Sequence, residues 1–394
     1  MKIIHILCHP INYDRYNIYG NWAFRMANFM KNNDNISRQK VFYPANNLKR
    51  IKSINLANNI EIKLFPTKTF HIFKSLIIPT FECNTLLKEL KKNENYGYTL
   101  YVHGEKSSLV YQISKLTNYK KAIHFHGYGR KGIYSLLYKL FIKKNEIKYL
   151  NNYEHIFCGI KYLYENLIEN VKINKTKLSY YNYPVDKNKF LRKINRNENS
   201  LSNIVKNKIV IITIGFPSKN KGFDKNIEFA RKLKKICNDY FIIHVSNILN
   251  KDINNLSFWE KKILGIYNPK DYQNKNSIDL CLEKIPNDEL NKLLNQSNIY
   301  IHFGNKLKDD FSGIGVAVTE ALFCKLIVFS NTLKHIPSFK ENKFGYTFKN
   351  TTDLINKIIL LKKKKNMILG SVQYKKILNY YSSDSLIPKI ISKL

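Results

Sequence analysis

Short apolar runs alternate with stretches whose apolar positions fall three and four apart, almost from one end of the chain to the other. Met1–Leu7 reads as a buried strand. Tyr19–Lys31 reads as a helix carrying Trp22, Met26 and Phe29 on one side. Tyr98–His103 and Lys121–His126 are expected strands with polar ends, and Ile156–Ile160 is a shorter one. Lys161–Asn170 is the helix after it and Ser179–Asn182 the next strand. A stretch rich in Asn, Ser, Lys and Glu, Lys193–Asn207, then breaks the pattern as a linker does. A second series follows: strand Lys208–Gly215, helix Asp224–Ile236, strand Phe241–Val245, helix Asp288–Asn295, strand Ile299–Phe303, helix Gly315–Lys325, strand Leu326–Ser330 and helix Asp353–Lys365.

Alternation of this kind predicts α/β domains built on parallel sheets covered on both faces. The expected division is a Rossmann-like domain over residues 1–195, a linker over 196–207, a second Rossmann-like domain over 208–375, and a helical tail over 376–394 that packs back on the first domain. Open sheets of this class take ligands beyond the carboxyl ends of their strands. Two doubly wound domains facing each other place the expected site in the central cleft between them.

With 394 residues, 44% of them hydrophobic, the chain is long enough for two ordinary cores. No apolar run approaches the roughly 20 residues that span a bilayer. Met1–Leu7 is cut short by Cys8-His9-Pro10 and is too brief for a signal peptide. A cytoplasmic location is the expectation. The six cysteines are scattered and form no CxxC pair, which argues against zinc-finger and thioredoxin chemistry.

Basic residues outnumber acidic ones 66 to 29, a net charge of +37. Two readings stand. Abundant Lys, Asn, Ile and Tyr fit an AT-rich coding sequence; attraction to an anionic membrane face, such as the inner face of the cytoplasmic membrane, is the functional alternative. Nucleic acid is not an expected partner, because the chain carries no helix-turn-helix, finger or RNP-like motif.

The stretch from Asp310 to Leu322 carries the most chemistry. Gly313, Ile314 and Gly315 precede a helix, and Glu320 lies about a turn inside it. Glycines let a ligand approach the backbone, and the amides of a helix start attract phosphate. A carboxylate there can accept hydrogen bonds from sugar hydroxyls, so the arrangement suits a nucleotide sugar.

Several segments then fall in a familiar order. Tyr153–Cys158 is followed by a helix and by Tyr181-Asn182-Tyr183-Pro184-Val185-Asp186, with Phe190 behind it. Gly215 leads to Lys221-Gly222-Phe223-Asp224, then comes Ile285-Pro286-Asn287-Asp288-Glu289-Leu290, and then the Glu320 region. In this order the chain resembles the retaining nucleotide-sugar glycosyltransferases of the GT-B fold, often called glycosyltransferase group 1 or family 4. The match is strongest from Tyr153 to Leu326.

The resemblance implies roles. Glu320 would bind the ribose hydroxyls of the donor. Lys221, in the Gly215–Gly222 loop, would face its diphosphate, and Ile285 would pass its base. His126, in His124-Phe125-His126-Gly127, would line the site near the sugar and its leaving phosphate; His124 shares the strand face and is a rival. Gly20 matches a loop glycine near donor and acceptor, and His103 is a second strand-end histidine. Arg130 opens a basic amphipathic stretch, Arg130–Lys144, that either lies on an anionic bilayer or packs on its own sheet. Two positions depart from the family. Ser312 stands where a first glutamate is usual, with Asp310 two residues away. Phe216 stands where an arginine is usual, with Lys219 nearby.

No DxD or other metal constellation is visible, so no cofactor and no metal are expected. The expected reaction moves a hexose-type sugar from a nucleotide-diphosphate donor to a hydroxyl of a glycan or lipid-linked acceptor, in bacterial surface polysaccharide synthesis. A non-catalytic nucleotide-sugar-binding subunit and a sugar-nucleotide epimerase are the alternatives.

Overall fold

The computed structural model describes residues 1–13, 15–46, 48–56, 59–70, 80–104, 108–125, 149–159, 161–190, 205, 207–249, 253–254, 261–262, 265–273, 277–304, 316–332, 344–363 and 369–394. Contacts divide the chain into two compact units, Met1–Tyr183 with Leu386–Leu394, and Pro184–Ser385. This division falls ahead of the polar 196–207 stretch because Val185 and Phe190 are already buried in the core of the second unit. Except for Val205 and Asn207, that stretch lies outside the described residues.

The first unit is built on a nine-stranded sheet. Its order is Leu178–Tyr180, His155–Cys158, Lys121–Phe125, Tyr98–Gly104, Lys2–Leu7, Arg38–Asn46, Ile60–Pro66 and Lys52–Leu56, with Ile11–Asn12 beside Arg38–Asn46. All pairings are parallel except Lys52–Leu56 against Ile60–Pro66. Burial on both faces explains the near-continuous apolar strands: every residue of Tyr98–Gly104 and Lys121–Phe125 is buried. Ile4 and Ile6 face one core, and Ile3 meets Met26, Met30, Ile387, Ile390 and Leu394 in another. The C-terminal residues therefore complete the first unit.

Two features of this unit differ from expectation. The single helix expected over Tyr19–Lys31 is two, Arg15–Gly20 and Trp22–Met30. Asn21 ends one and caps the other, accepting from Phe24 N–H at 3.2 Å and donating to Ile18 O at 3.1 Å. The strands Arg38–Asn46 and Ile60–Pro66, which lie within the sheet between Lys2–Leu7 and the edge strand Lys52–Leu56, had no counterpart in the sequence reading.

The second unit has a six-stranded parallel sheet in the order Leu280–Leu282, Tyr240–Ser246, Ile209–Gly215, Ile299–His302, Ile327–Ser330 and Tyr346–Thr347. Its strands divide their side chains by simple alternation. Val210, Ile212, Tyr300 and Val328 pack on the Val316–Phe323 helix; Ile211, Ile299, Ile301 and Phe329 pack on Phe223–Ile236 and Thr351–Lys363. Because the sheet is parallel, the carboxyl ends at Gly215, Ser246, Leu282, His302 and Ser330 all lie at one end of it. No helix among the described residues is long and apolar enough to cross a membrane.

Candidate functional site

The Ile209–Gly215 strand runs out into a tight turn. Phe216-Pro217-Ser218 leads to a 3-10 turn over Lys219–Lys221, and the helix Phe223–Ile236 begins directly after Gly222. Gly222 has φ 72°, a left-handed conformation that side chains disfavour. A Cβ there would also lie 2.6 Å from Phe303 Cβ and 2.8 Å from Phe303 O. The Lys221-Gly222 pair is thus a steric requirement of the turn. Lys221 itself is exposed. Beneath it lies a small cavity of about 50 Å³ lined by Thr213, Gly215, Phe216, Lys221, Asn226 and His302, among others.

The floor of this cavity is polar. Asn226 donates through Nδ2 to Thr213 Oγ1 at 2.8 Å, and Thr213 Oγ1 lies 2.9 Å from His244 Nδ1. Burial pushes His244 down to about 3, so the ring is neutral. Asn226 Oδ1 and His244 Nε2 have no hydrogen-bond partner among the described residues. Buried polar atoms left this way cost free energy, and a water or ligand atom in the cavity would satisfy them.

On the opposite face of the sheet, His302 ends its strand. Its Nδ1 lies 3.1 Å from Ser330 Oγ and 3.4 Å from Thr332 Oγ1. Burial, and secondarily the charge of Lys221, hold its pKa down at about 4. The loop beyond it is pinned by Asn331, which accepts from Gly304 N–H at 2.8 Å and donates to Gly304 O at 2.6 Å.

Glu320 sits on the Val316–Phe323 helix among Val318, Ala321, Leu322 and Phe323. It is 3% exposed, which rules out a solvated surface glutamate. Its charge reaches Tyr300, whose phenol is raised first by burial and then by Glu320. Tyr300 and His302 share a strand face by alternation, and Lys221 reaches His302.

The structure brings Gly215 and Lys221 together at this cavity; Glu320 lies on the Val316–Phe323 helix of the same unit and does not line it. Lys219 opens the 3-10 turn, exposed, with its N–H donating to Gly265 O at 2.8 Å, and does not line the cavity. Ile285 is partly buried, packed against the core just beyond the Leu280–Leu282 strand. Gly20 is exposed at the end of its helix, and a Cβ there would meet no atom within 4 Å, so no close approach within the protein demands a glycine. Asp310, Ser312, Gly313, Ile314 and Gly315, and likewise His126 and Arg130 with the Arg130–Lys144 stretch, lie outside the described residues.

Within the first unit, His103 is buried at its strand end, its Nε2 3.1 Å from His5 Nδ1. His124 is a core imidazole: Tyr101 OH lies 3.1 Å from its Nδ1, and its ring stacks on Tyr183 at 5.5 Å. Sequence reasoning missed His302, Asn226 and His244. His302 carried the same signal as His126, a histidine closing an apolar strand. Among the described residues no group of three or more His, Cys, Asp or Glu is placed to hold a metal ion.

No protein-family model matches the sequence, and no curated protein sequence does. Solved structures do match over the whole chain. The α,α-trehalose 6-phosphate synthase of Burkholderia multivorans superposes with a TM-score of 0.68 at 8% identity, covering 100% of this chain and 98% of that one. Anabaena HepE, solved with UDP and glucose, gives 0.62 at 14% identity over 99% and 100%. A glycosyltransferase from Rickettsia africae ESF-5 gives 0.60 at 14% over 99% and 97%. Identities this low establish the fold. It is the two-domain α/β architecture of the GT-B glycosyltransferases.

Proposed function

We propose that this chain is a retaining glycosyltransferase that moves a hexose-type sugar from a nucleotide-diphosphate donor to a hydroxyl of a glycan or lipid-linked acceptor, without a metal. The observation that carries this reading is the buried carboxylate of Glu320 on the mostly apolar Val316–Phe323 helix of the same unit as Lys221, which sits in the turn after the Ile209–Gly215 strand. A carboxylate can accept hydrogen bonds from two ribose hydroxyls, which makes Glu320 the proposed anchor of the donor. Lys221 offers the departing diphosphate a mobile positive charge. The second unit thus takes the donor, and acceptor recognition is assigned to the first. Among the described residues lining the cavity there is no carboxylate to act as nucleophile, and the leaving phosphate itself would serve as base for the incoming hydroxyl on the same face. The protein with UDP and glucose among its structural neighbours supports a nucleotide-sugar donor. Bacterial surface polysaccharide, made at the inner face of the cytoplasmic membrane, is the product class proposed.

A thermal-shift screen against UDP-, GDP- and ADP-sugars tests the reading, followed by titration of the best donor into Glu320→Gln. That variant keeps the side chain's volume and removes its charge. Donor binding should weaken by roughly 1.5–3 kcal/mol, the value of a charge-assisted contact. Unchanged affinity would remove Glu320 from the donor site.

A second reading is favoured by Phe216, an apolar side chain lining the cavity where the resembling family carries arginine. It makes the chain a nucleotide-sugar-binding subunit without turnover. Donor binding with no transfer across an acceptor panel would select it.

A further inference from the structure

We propose that His302 is a second phosphate-binding group beside Lys221, and that it takes up a proton when a nucleoside diphosphate enters the site. This rests on the nucleotide-sugar reading and adds to it a residue and a measurable proton.

Charge gives the first argument. Among the described residues lining the cavity, Lys221 is the one fixed cation. A nucleoside diphosphate brings several negative charges, which a single ammonium leaves mostly unbalanced. Two imidazoles line the same cavity, His244 and His302. His244 faces the helix Phe223–Ile236 side and is fully buried. His302 is only partly buried and closes its strand at the sheet's carboxyl end. The register Ile212↔Tyr300, carried forward along both strands, sets it alongside Ile214, one residue short of Gly215.

The second argument is the hydroxyl pair behind the ring. Ser330 Oγ lies 3.1 Å from Nδ1 and accepts from Thr332 N–H at 3.1 Å, while Thr332 Oγ1 lies 3.1 Å from Ser330 Oγ. A hydroxyl both donates and accepts. Ser330 can therefore donate to a bare Nδ1 or accept from Nδ1–H by rotating one hydrogen. Both protonation states of His302 are satisfied with no heavy atom displaced.

Electrostatics then sets the direction. At rest, burial and Lys221 keep the ring neutral. The other described groups around it are few. Lys225, from the Phe223–Ile236 helix, reaches Gly304 O at 3.4 Å. Tyr300 shares the strand face, and the charge of Glu320 acts on Tyr300. The Ile209–Gly215 strand offers only the uncharged Thr213, Ile214 and Gly215 at this end. An arriving phosphate offsets Lys221 and adds attraction of its own. One negative charge at hydrogen-bonding distance is worth on the order of a thousandfold in a protonation equilibrium at an effective dielectric near 20. A proton from solvent completes the imidazolium. Its Nδ1–H donates to Ser330 Oγ and its Nε2–H to a phosphate oxygen.

Titration calorimetry of UDP, GDP and ADP into the full chain, in two buffers of different ionisation heat at about pH 7.5, reads the proton directly. The wild type is expected to take up more protons per nucleotide than His302→Gln, and the variant to bind about tenfold more weakly or worse. Ser330→Ala keeps the imidazole but removes the acceptor for Nδ1–H; it should bind nucleotide with reduced proton uptake. Equal proton counts in the wild type and both variants, with nucleotide still bound, overturn the assignment of His302. Absence of binding of all three nucleotides to the wild type overturns the nucleotide-sugar reading itself.

Discussion

Buried imidazoles make this protein's stability sensitive to acid. His5 is completely buried, its Nε2 2.9 Å from Gln39 Oε1 and its Nδ1 3.1 Å from His103 Nε2. Burial lowers it from 6.5 to about 4, against a smaller upward pull from Gln39. The unfolded chain binds its proton near 6.5 and the folded chain only near 4, so folding is favoured above that window. Stability should be constant above about pH 6.5 and fall as the pH drops towards 4, by on the order of 3 kcal/mol for His5 alone. His244 and His302, lowered by burial to about 3 and about 4, act in the same direction. Denaturant midpoints across this range measure the slope. His5→Gln, which keeps an amide to meet Gln39 and His103, should flatten it. At this scale the sequence made the turn at Lys221-Gly222 legible, because a glycine between a strand and a helix is a local signal. It was not legible for Asn226, Thr213 and His244, which meet only because a helix folds back over two strands.

The elements were read correctly where apolar runs were uninterrupted. Ile209–Gly215, Phe223–Ile236, Tyr240–Ser246 and Ile327–Ser330 each lie within a residue of expectation at either end. Arg38–Asn46 escaped because its pattern is broken by Gln39, Lys40 and Pro44, yet Gln39 and Lys40 are buried. Lys40 manages this by donating to Asn95 Oδ1 at 2.6 Å and lying 5.1 Å over the Tyr98 ring. Such partners come from distant chain, and no local pattern announces them. The turn at Gly222 gives a sharper test of how an element is held. Gly222→Ala would force a Cβ into Phe303 in a left-handed backbone, with no room on either side. The strand end at Phe303 and the start of the Phe223–Ile236 helix must then separate. The expected loss is roughly 2–4 kcal/mol of stability. Chemical denaturation reads it, and a loss under about 0.5 kcal/mol would show that the turn relaxes freely.

At the scale of the whole molecule, the C-terminus and the charge each have a consequence. Ile387, Ile390 and Leu394 are buried with Ile3, Met26 and Tyr101, so the last residues belong to the first unit's core although that unit's other residues end at Tyr183. Ile390 is 0% exposed. Ile390→Ala should cost about 2–4 kcal/mol, the range for emptying such a site, and amide exchange should report the loss in the first unit's strands.

The charge of +37 acts differently, because it has no single address. Described ion pairs such as Lys187–Asp384, Lys189–Asp288 and Lys232–Glu228 are surface contacts of the kind worth little each. With 66 basic side chains and 29 acidic ones, repulsion among lysines outweighs those attractions at long range. Screening weakens both terms, but it reaches the distant, solvent-exposed repulsions first, since the Debye length is about 30 Å at 0.01 M salt and about 8 Å at 0.15 M. The melting temperature should therefore rise as salt is added from the lower to the higher concentration. The same salt should release the protein from vesicles of anionic lipid if unfocused charge is what attracts it to them. A melting temperature that falls instead would mean that attractive pairs dominate and that the positive charge is locally balanced despite its total.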